Sequence, residues 1–227
     1  MNQKTVILVS SAILGFAGIM VSVIIIAIGG GFSGPGPSLL NPPSKSDLWA
    51  VGNNLTNNTE LDYLLTTGPA QFPQTVNIKF VESKDNWRVS ISMQDKRNTS
   101  SYNTTLLKKS FTPIGILNVG TEKALKPVSS SIFSIRDIAR EPKYLVIGAV
   151  WDTINFGPSS IPIRISNLER VSIGNNSYDS FILSYEIANV QSKIYISKDL
   201  PFPLKAEVYN ENGTLEYRYE LKSIRRS

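Results

Sequence analysis

The feature that most constrains this chain is a period-two alternation on both sides of a glycine turn near the C-terminus. Leu204, Ala206 and Val208 alternate with Lys205, Glu207 and Tyr209. After "NENG", Leu215, Tyr217, Tyr219 and Leu221 alternate with Glu216, Arg218, Glu220 and Lys222. Side chains two apart lie on one face of a strand, so each arm has a greasy face and a charged one. That pattern predicts an antiparallel hairpin with one wet side, and it excludes a parallel sheet covered on both faces.

The hairpin's register follows from its charges. If Asn212-Gly213 forms a two-residue type I′ turn, Glu207 faces Arg218, Lys205 faces Glu220 and Ala206 meets Tyr219. A four-residue loop keeps the faces but sets Glu207 against Glu216 and Lys205 against Arg218. Unlike charges directly opposite favour a register by roughly 0.2–1 kcal/mol and like charges oppose it, so the first register is expected.

The same periodicity recurs upstream. "QTVNIKFVES" (74–83) and "NWRVSISMQ" (86–94) predict two strands around Lys84-Asp85-Asn86. "TTLLKKSFTP" reads as a weaker strand, and "YLVIGAVWDTI" as a continuous apolar, central one. "ERVSIG", "YDSFILSYEIA", "SKIYISK", "LKAEVYN" and "TLEYRYELKSI" follow at short intervals, as an antiparallel meander does. "VSSSIFSIRDIARE" is the best helix outside the N-terminus, capped by Ser129 or Ser130 and closed by Pro142; a second short helix is expected near 59–66. Two short helices are thin cover for six to nine strands. The expected fold is therefore mainly β (α+β), a curved antiparallel sheet or half-barrel with one or two short helices, preceded by an N-terminal transmembrane helix.

That helix is predicted over 6–28, "VILVSSAILGFAGIMVSVIIIAI", which carries no charge. About 20 apolar residues cross a bilayer, whereas a cleaved signal's apolar region runs about 7–15. An uncleaved signal anchor is the expectation, with a removed signal peptide as its alternative. Lys4 precedes the span and the next charge after it is Lys45, which places residues 1–5 in the cytoplasm as a stub and the remainder outside, at the plasma membrane. Residues 29–46, rich in Gly and Pro, read as a stalk, and 47–227 as an exported β-rich domain.

Composition removes several chemistries. The 227 residues contain no Cys and no His, so thiol nucleophiles, thiolate metal sites, Ser–His–Asp triads and zinc hydrolase sites are excluded. Carboxylate pairs, Ser–Lys pairs and oxygen-ligand cation sites survive. Asp137 and Glu141, at helical spacing with Arg136 and Arg140 beside them, read as a surface ion-pair network. No Walker, EF-hand or nucleophile-elbow pattern occurs. No metal site, cofactor or catalytic residue is expected. The net charge of +5 is a mild excess without a dense cluster, and no motif points to nucleic acid. Trp49, Trp87 and Trp151, with Tyr185, Tyr195, Tyr209, Tyr217 and Tyr219, read as core, with an apolar pocket or a carbohydrate platform as the alternatives.

Asn54, Asn57, Asn98, Asn103, Asn175 and Asn212 head Asn-x-Ser/Thr sequons. All fall in segments read as loops or turns on the exported side, where glycans attach.

The run "SKIYISKDLPFPLKAEVYNENGTLEYRYELKSI", residues 192–224, resembles the closing meander of the lipoprotein-carrier and envelope lipid-carrier half-barrels. The matching residues are Ile194, Ile196, Asp199, Leu200, Pro203, Lys205, Ala206 and Gly213. The resemblance implies a concave face that accepts acyl chains and no catalytic residues; the predicted anchor departs from carriers that shuttle freely.

The expectation is a membrane-anchored, non-enzymatic domain that binds an apolar or lipid ligand, or docks an envelope protein, at the outer membrane face. Its candidate ligand face is Ile194, Ile196, Leu204, Ala206, Val208, Leu215, Tyr217 and Tyr219. The alternatives are a structural cell-envelope glycoprotein or accessory subunit whose sheet packs shut, and a carboxylate or Ser–Lys enzyme.

Overall fold

In the computed structural model, residues 44–68, 72–96, 98–115, 119–156 and 159–226 are described. The predicted span over 6–28 and nearly all of the stalk lie outside them. Among the described residues no helix is long and apolar enough to cross a membrane.

The chain forms twelve strands in the described residues. A short pair joins β1 (Leu48–Trp49) to β6 (Lys143–Tyr144). The other ten build one sheet: β2 (Thr59–Thr67), β3 (Gln74–Ser83), β4 (Asn86–Gln94), β5 (Thr99–Leu107), β7 (Val150–Phe156), β8 (Ser159–Ile173), β9 (Asn176–Ile187), β10 (Val190–Ile196), β11 (Lys205–Tyr209) and β12 (Leu215–Arg225). Their order is β5-β4-β3-β2-β12-β11-β10-β9-β8-β7, and every neighbouring pair is antiparallel. Two meanders are thus joined where β2 meets β12. Among the described residues the sheet does not close, and β5 and β7 are its end strands. It bends strongly, because β8 approaches β12 although three strands lie between them.

β3 and β4 have the expected bounds, with Val76, Ile78 and Phe80 set opposite Met93, Ile91 and Val89. The C-terminal hairpin has the expected register: Glu207 faces Arg218, Lys205 faces Glu220 and Ala206 faces Tyr219. Arg218 donates to Glu207 Oε1 at 2.7 Å. Lys205 and Glu220 are opposite but do not pair in charge, since Glu220 binds Lys222 at 2.8 Å and Lys205 lies over the Tyr195 ring.

The turn itself differs from expectation. The Asn210 N–H bonds Thr214 O, which leaves three residues in the loop, and Gly213 takes a positive φ of 69°. This is the three-residue hairpin that ends in a left-handed residue, a role glycine fills without a Cβ clash. Tyr209 then pairs Leu215, and a bulge before Val208–Tyr217 restores the register. The Glu216 carbonyl at the bulge accepts the Gly68 N–H at 2.8 Å.

Three further expectations are corrected. The segment 59–66 is not a helix but most of β2: Thr59, Leu61, Tyr63 and Leu65 are buried at period two, while Glu60 and Asp62 face outward and meet Arg225. "YLVIGAVWDTI" is not central. A turn closed by Ala149 N–H to Val146 O, with Gly148 at φ 90°, interrupts it, and only its second half forms β7, at the sheet's edge. Finally, the serine run does not start a helix. α1 (Val119–Ser129) ends there, a single 3₁₀ turn (Ile132–Ser134) follows, and α2 is one turn, Ile135–Ile138. Ser130 Oγ and Ser131 Oγ donate back to the Lys126 and Pro127 carbonyls, satisfying acceptors that a helix end leaves open.

The core is one continuous cluster on the sheet's inward face. Its plug is the loop 199–204, with Leu200, Phe202 and Leu204 each 1% exposed. Phe202 stacks on Phe80 and meets Phe111 and Phe133 at 5.3 Å between ring centres. The loop's carbonyls are used: Leu200 O accepts from the Trp49 indole, Pro201 O from the Gly52 N–H and Pro203 O from the Tyr63 hydroxyl, all within 3.0 Å. All three tryptophans are buried, and Trp49 stacks on Trp151. The Lys45–Asp47 turn belongs to this body, since Lys198 Nζ binds Asp47 Oδ1 at 2.6 Å.

Candidate functional site

The eight residues of the expected ligand face lie together on β10, β11, β12 and the strand entry at Leu204. Seven of them, Ile194, Ile196, Leu204, Ala206, Val208, Tyr217 and Tyr219, are at most 6% exposed within the core cluster, and Leu215 is half-buried. The 3₁₀ turn reaches this wall, with Ser134 Oγ and Tyr217 Oη 3.0 Å apart. Burial pushes the Tyr217 phenol above its ordinary range, against the pull of that hydrogen bond. Tyr63 and Tyr219 are raised for the same reason, so these hydroxyls stay neutral. The plug loop and the 3₁₀ turn share one buried cluster with these residues.

Open space lies elsewhere. A cavity of about 920 Å³ opens between α1 and strands β4 and β5. Its floor is apolar: Ile91, Leu106, Leu125, Val128 and Phe133, all at most 6% exposed. Leu125 and Val128, three apart on α1, share the helix face turned to the sheet. Charged groups, among them Glu122, Lys126 and Arg136, stand around it. Thr104 Oγ1, in its wall, is closed off from solvent and has no hydrogen-bond partner.

A second cavity, of about 810 Å³, lies between the turn after β1, the loop after β5 and the end of α2. Lys108, Lys109, Arg136 and Arg140 line it, with Asp137 and Glu141. The expected surface ion-pair network is only partly formed. α2 stops at Ile138, so Asp137 and Glu141 do not share a helix face. Arg140 Nε bonds the Asp137 carbonyl, and Arg136 Nε is 3.8 Å from Asp137 Oδ1. Sequence periodicity did not reveal either cavity, because each is assembled from three separate segments. The breaks at Pro113, Gly115 and Pro127 were the available signal.

The six sequon asparagines are all exposed. Five lie in turns or at strand ends, but Asn103 sits within β5, opposite Ser90, whose hydroxyl donates to it at 2.7 Å. Asn54 donates to the Lys198 carbonyl, and Asn57 Oδ1 accepts the Glu82 N–H.

No family model matches the chain, and no curated protein does. Among solved structures it is similar to the crystal structure of MucB, at a TM-score of 0.44 and 12% identity, over 77% of this chain and 55% of that one. The MucA/MucB complex of Pseudomonas aeruginosa gives 0.41, 12%, 77% and 53%. A Bacteroides fragilis protein described as exported, with a YmcC-like fold, gives 0.38 and 12%, over 78% of this chain and 100% of that one. The chain thus spans about half the length of the MucB chain it matches.

Proposed function

We propose that this protein is a non-enzymatic, extracytoplasmic binding domain, tethered to the plasma membrane through residues 6–28. It takes an apolar ligand, such as a lipid chain, or the apolar segment of an envelope partner. The observation that carries this reading is the cavity between α1 and β4–β5. Its volume of about 920 Å³ and floor of Ile91, Leu106, Leu125, Val128 and Phe133 suit an apolar guest. The eight-residue face of the C-terminal meander does not line this cavity; it is packed into the core, with Ser134 of the 3₁₀ turn against Tyr217. The serine hydroxyls in the cavity's lining are already engaged, Ser130 Oγ donating to the Lys126 carbonyl and Ser129 Oγ accepting from Arg136, which favours binding over turnover.

Displacement of a fluorescent fatty acid from the full chain tests the reading. Saturable binding is expected. Leu125→Trp, which fills the floor, is expected to weaken it by about tenfold without lowering the urea midpoint. Binding that is absent, or unchanged in the variant, refutes the reading. A structural envelope glycoprotein is the second reading, favoured by the exposure of all six sequon asparagines. A mass loss on enzymatic deglycosylation, together with no fatty-acid binding, would select it.

A further inference from the structure

We propose that the second cavity is an anion site anchored by Arg136, taking a phosphate or carboxylate group. The side chain of Arg136 is only 20% exposed. Its Nη1 donates to Phe111 O at 3.0 Å and its Nη2 to Ser129 Oγ at 3.1 Å, both neutral acceptors. Its ion pair with Asp137 is long and wet, 3.8 Å from Nε to a carboxylate 66% exposed, and compensates the half-buried guanidinium only weakly. A half-buried cation with only a long, solvent-screened counter-charge has attraction left to offer an anion, and a guanidinium presents five N–H donors in a planar fork. Three of those donors are not used by the two neutral bonds. An anion entering the cavity supplies both the missing charge and the missing acceptors.

The surroundings agree. Lys108 is already neutralised by Glu82 at 2.8 Å. Lys109 is exposed and has no partner among the described residues, and Arg140 holds only the Asp137 carbonyl. Against these stand Asp137 and Glu141, both exposed. With Lys108 set aside, three basic side chains face two acidic ones around about 810 Å³, a space that fits a small anion or a head group and not a nucleic-acid duplex. The site does not depend on a guest in the apolar cavity, although Arg136 lines both.

Calorimetric titration of the full chain in neutral detergent tests the site, with inorganic phosphate in one arm and octyl phosphate in the other. Saturable binding is expected in at least one arm, weakening as salt rises. Equal affinities identify a free anion as the ligand, and octyl phosphate tighter by about tenfold identifies the head group of an amphiphile. Arg136→Ala also loses the tie to Phe111, so the decisive variant is Lys109→Gln/Arg140→Gln, which changes exposed side chains only. It is expected to weaken binding about tenfold. Leu125→Trp, in the other cavity, is expected to leave inorganic phosphate binding unchanged, which separates this site from the apolar one. No saturable binding in either arm, or an unaltered affinity in the double variant, overturns the proposal.

Discussion

Gly52→Ala is predicted to unfold the wall between the plug and the second cavity, and its cost can be divided in advance. Gly52 has φ 81°, and its N–H bonds Pro201 O at 2.8 Å. A Cβ built there lies 2.2 Å from Phe111 Cζ and 2.4 Å from Phe111 Cε2. Two penalties therefore act. A left-handed backbone costs an L-residue roughly 1–2 kcal/mol. Forcing a methyl against a fixed ring costs roughly 1–3 kcal/mol more, because the ring is only 1% exposed and held among Phe80 and Phe202. The total is about 2–5 kcal/mol, a large part of a domain's stability. Urea unfolding followed by tryptophan fluorescence measures it, since Trp49, Trp87 and Trp151 are all buried. The partition is read from a double-mutant cycle with Phe111→Ala. In that background the clash is gone, and Gly52→Ala should cost only the backbone share, roughly 1–2 kcal/mol. Gly174→Ala is the control: φ is 56° and nothing lies within 4 Å of the added Cβ, so it should show the backbone share alone. Equal costs of Gly52→Ala in both backgrounds would refute the close-approach argument.

Other outcomes follow from the same geometry. Glu207→Lys should lose roughly 0.2–1 kcal/mol by facing Arg218, and Glu207→Lys/Arg218→Glu should recover most of it in the same urea assay. Phe202→Ala removes the ring that Phe80, Phe111 and Phe133 share and should cost about 3–5 kcal/mol, whereas Ile147→Ala, 58% exposed, should change the midpoint by under about 0.5 kcal/mol. Acid should loosen the outer face of β2 and the N-terminal 3₁₀ turn. The Arg225 and Asn77 hydrogen bonds hold the Glu60 carboxyl below its ordinary value, and the Lys198 hydrogen bond does the same for Asp47. Their folded values lie below their unfolded ones, so their contribution is complete above the ordinary carboxylate range and is lost as pH falls through the depressed values. Urea midpoints that fall below about pH 4 in the parent chain, and fall less in Lys198→Met, are the expected signature.

What the sequence disclosed was local. β3, β4 and the C-terminal hairpin were legible because their alternation, turn chemistry and cross-strand charges all point to one register. β2 was missed because "TELDYLLT" is rich in good helix formers. The burial of Leu61, Tyr63 and Leu65 between β3 and β12 overrides that propensity. α1 was missed for the converse reason: Gly120, Thr121 and Pro127 depress its propensity, and only Leu125 and Val128 mark its inward face. The serine run that follows carries the residue types of an N-cap, yet its hydroxyls bond backward to α1. Type alone does not give direction. The greasy face of the closing meander was identified correctly as a face, but its cover was not, because the cover arrives from Phe111, Ile132–Ser134 and the loop 199–204 and is not encoded in the strands it covers.

That division explains why one half of the concavity is filled and the other is open. Three carbonyls of the plug loop are bonded by Trp49, Gly52 and Tyr63, so the loop is pinned over the sheet from its N-terminal side. Phe202 then brings Phe111 and Phe133 over Phe80 on β3, and the aromatic knot closes the interior from β3 toward β10. Beyond β3 no such loop exists among the described residues. β4 and β5 are faced by α1, which sends down Leu125 and Val128 and carries Pro127 in its last turn, with Phe133 of the 3₁₀ turn beside it. Such a helix has little to hold it: few buried side chains and a backbone bond lost at the proline. The part of the fold that bounds the apolar cavity is therefore also the part that opens most cheaply. Amide exchange should be faster on α1 than on β3 and β12 if that is so, and equal protection would show the cavity to be rigidly framed.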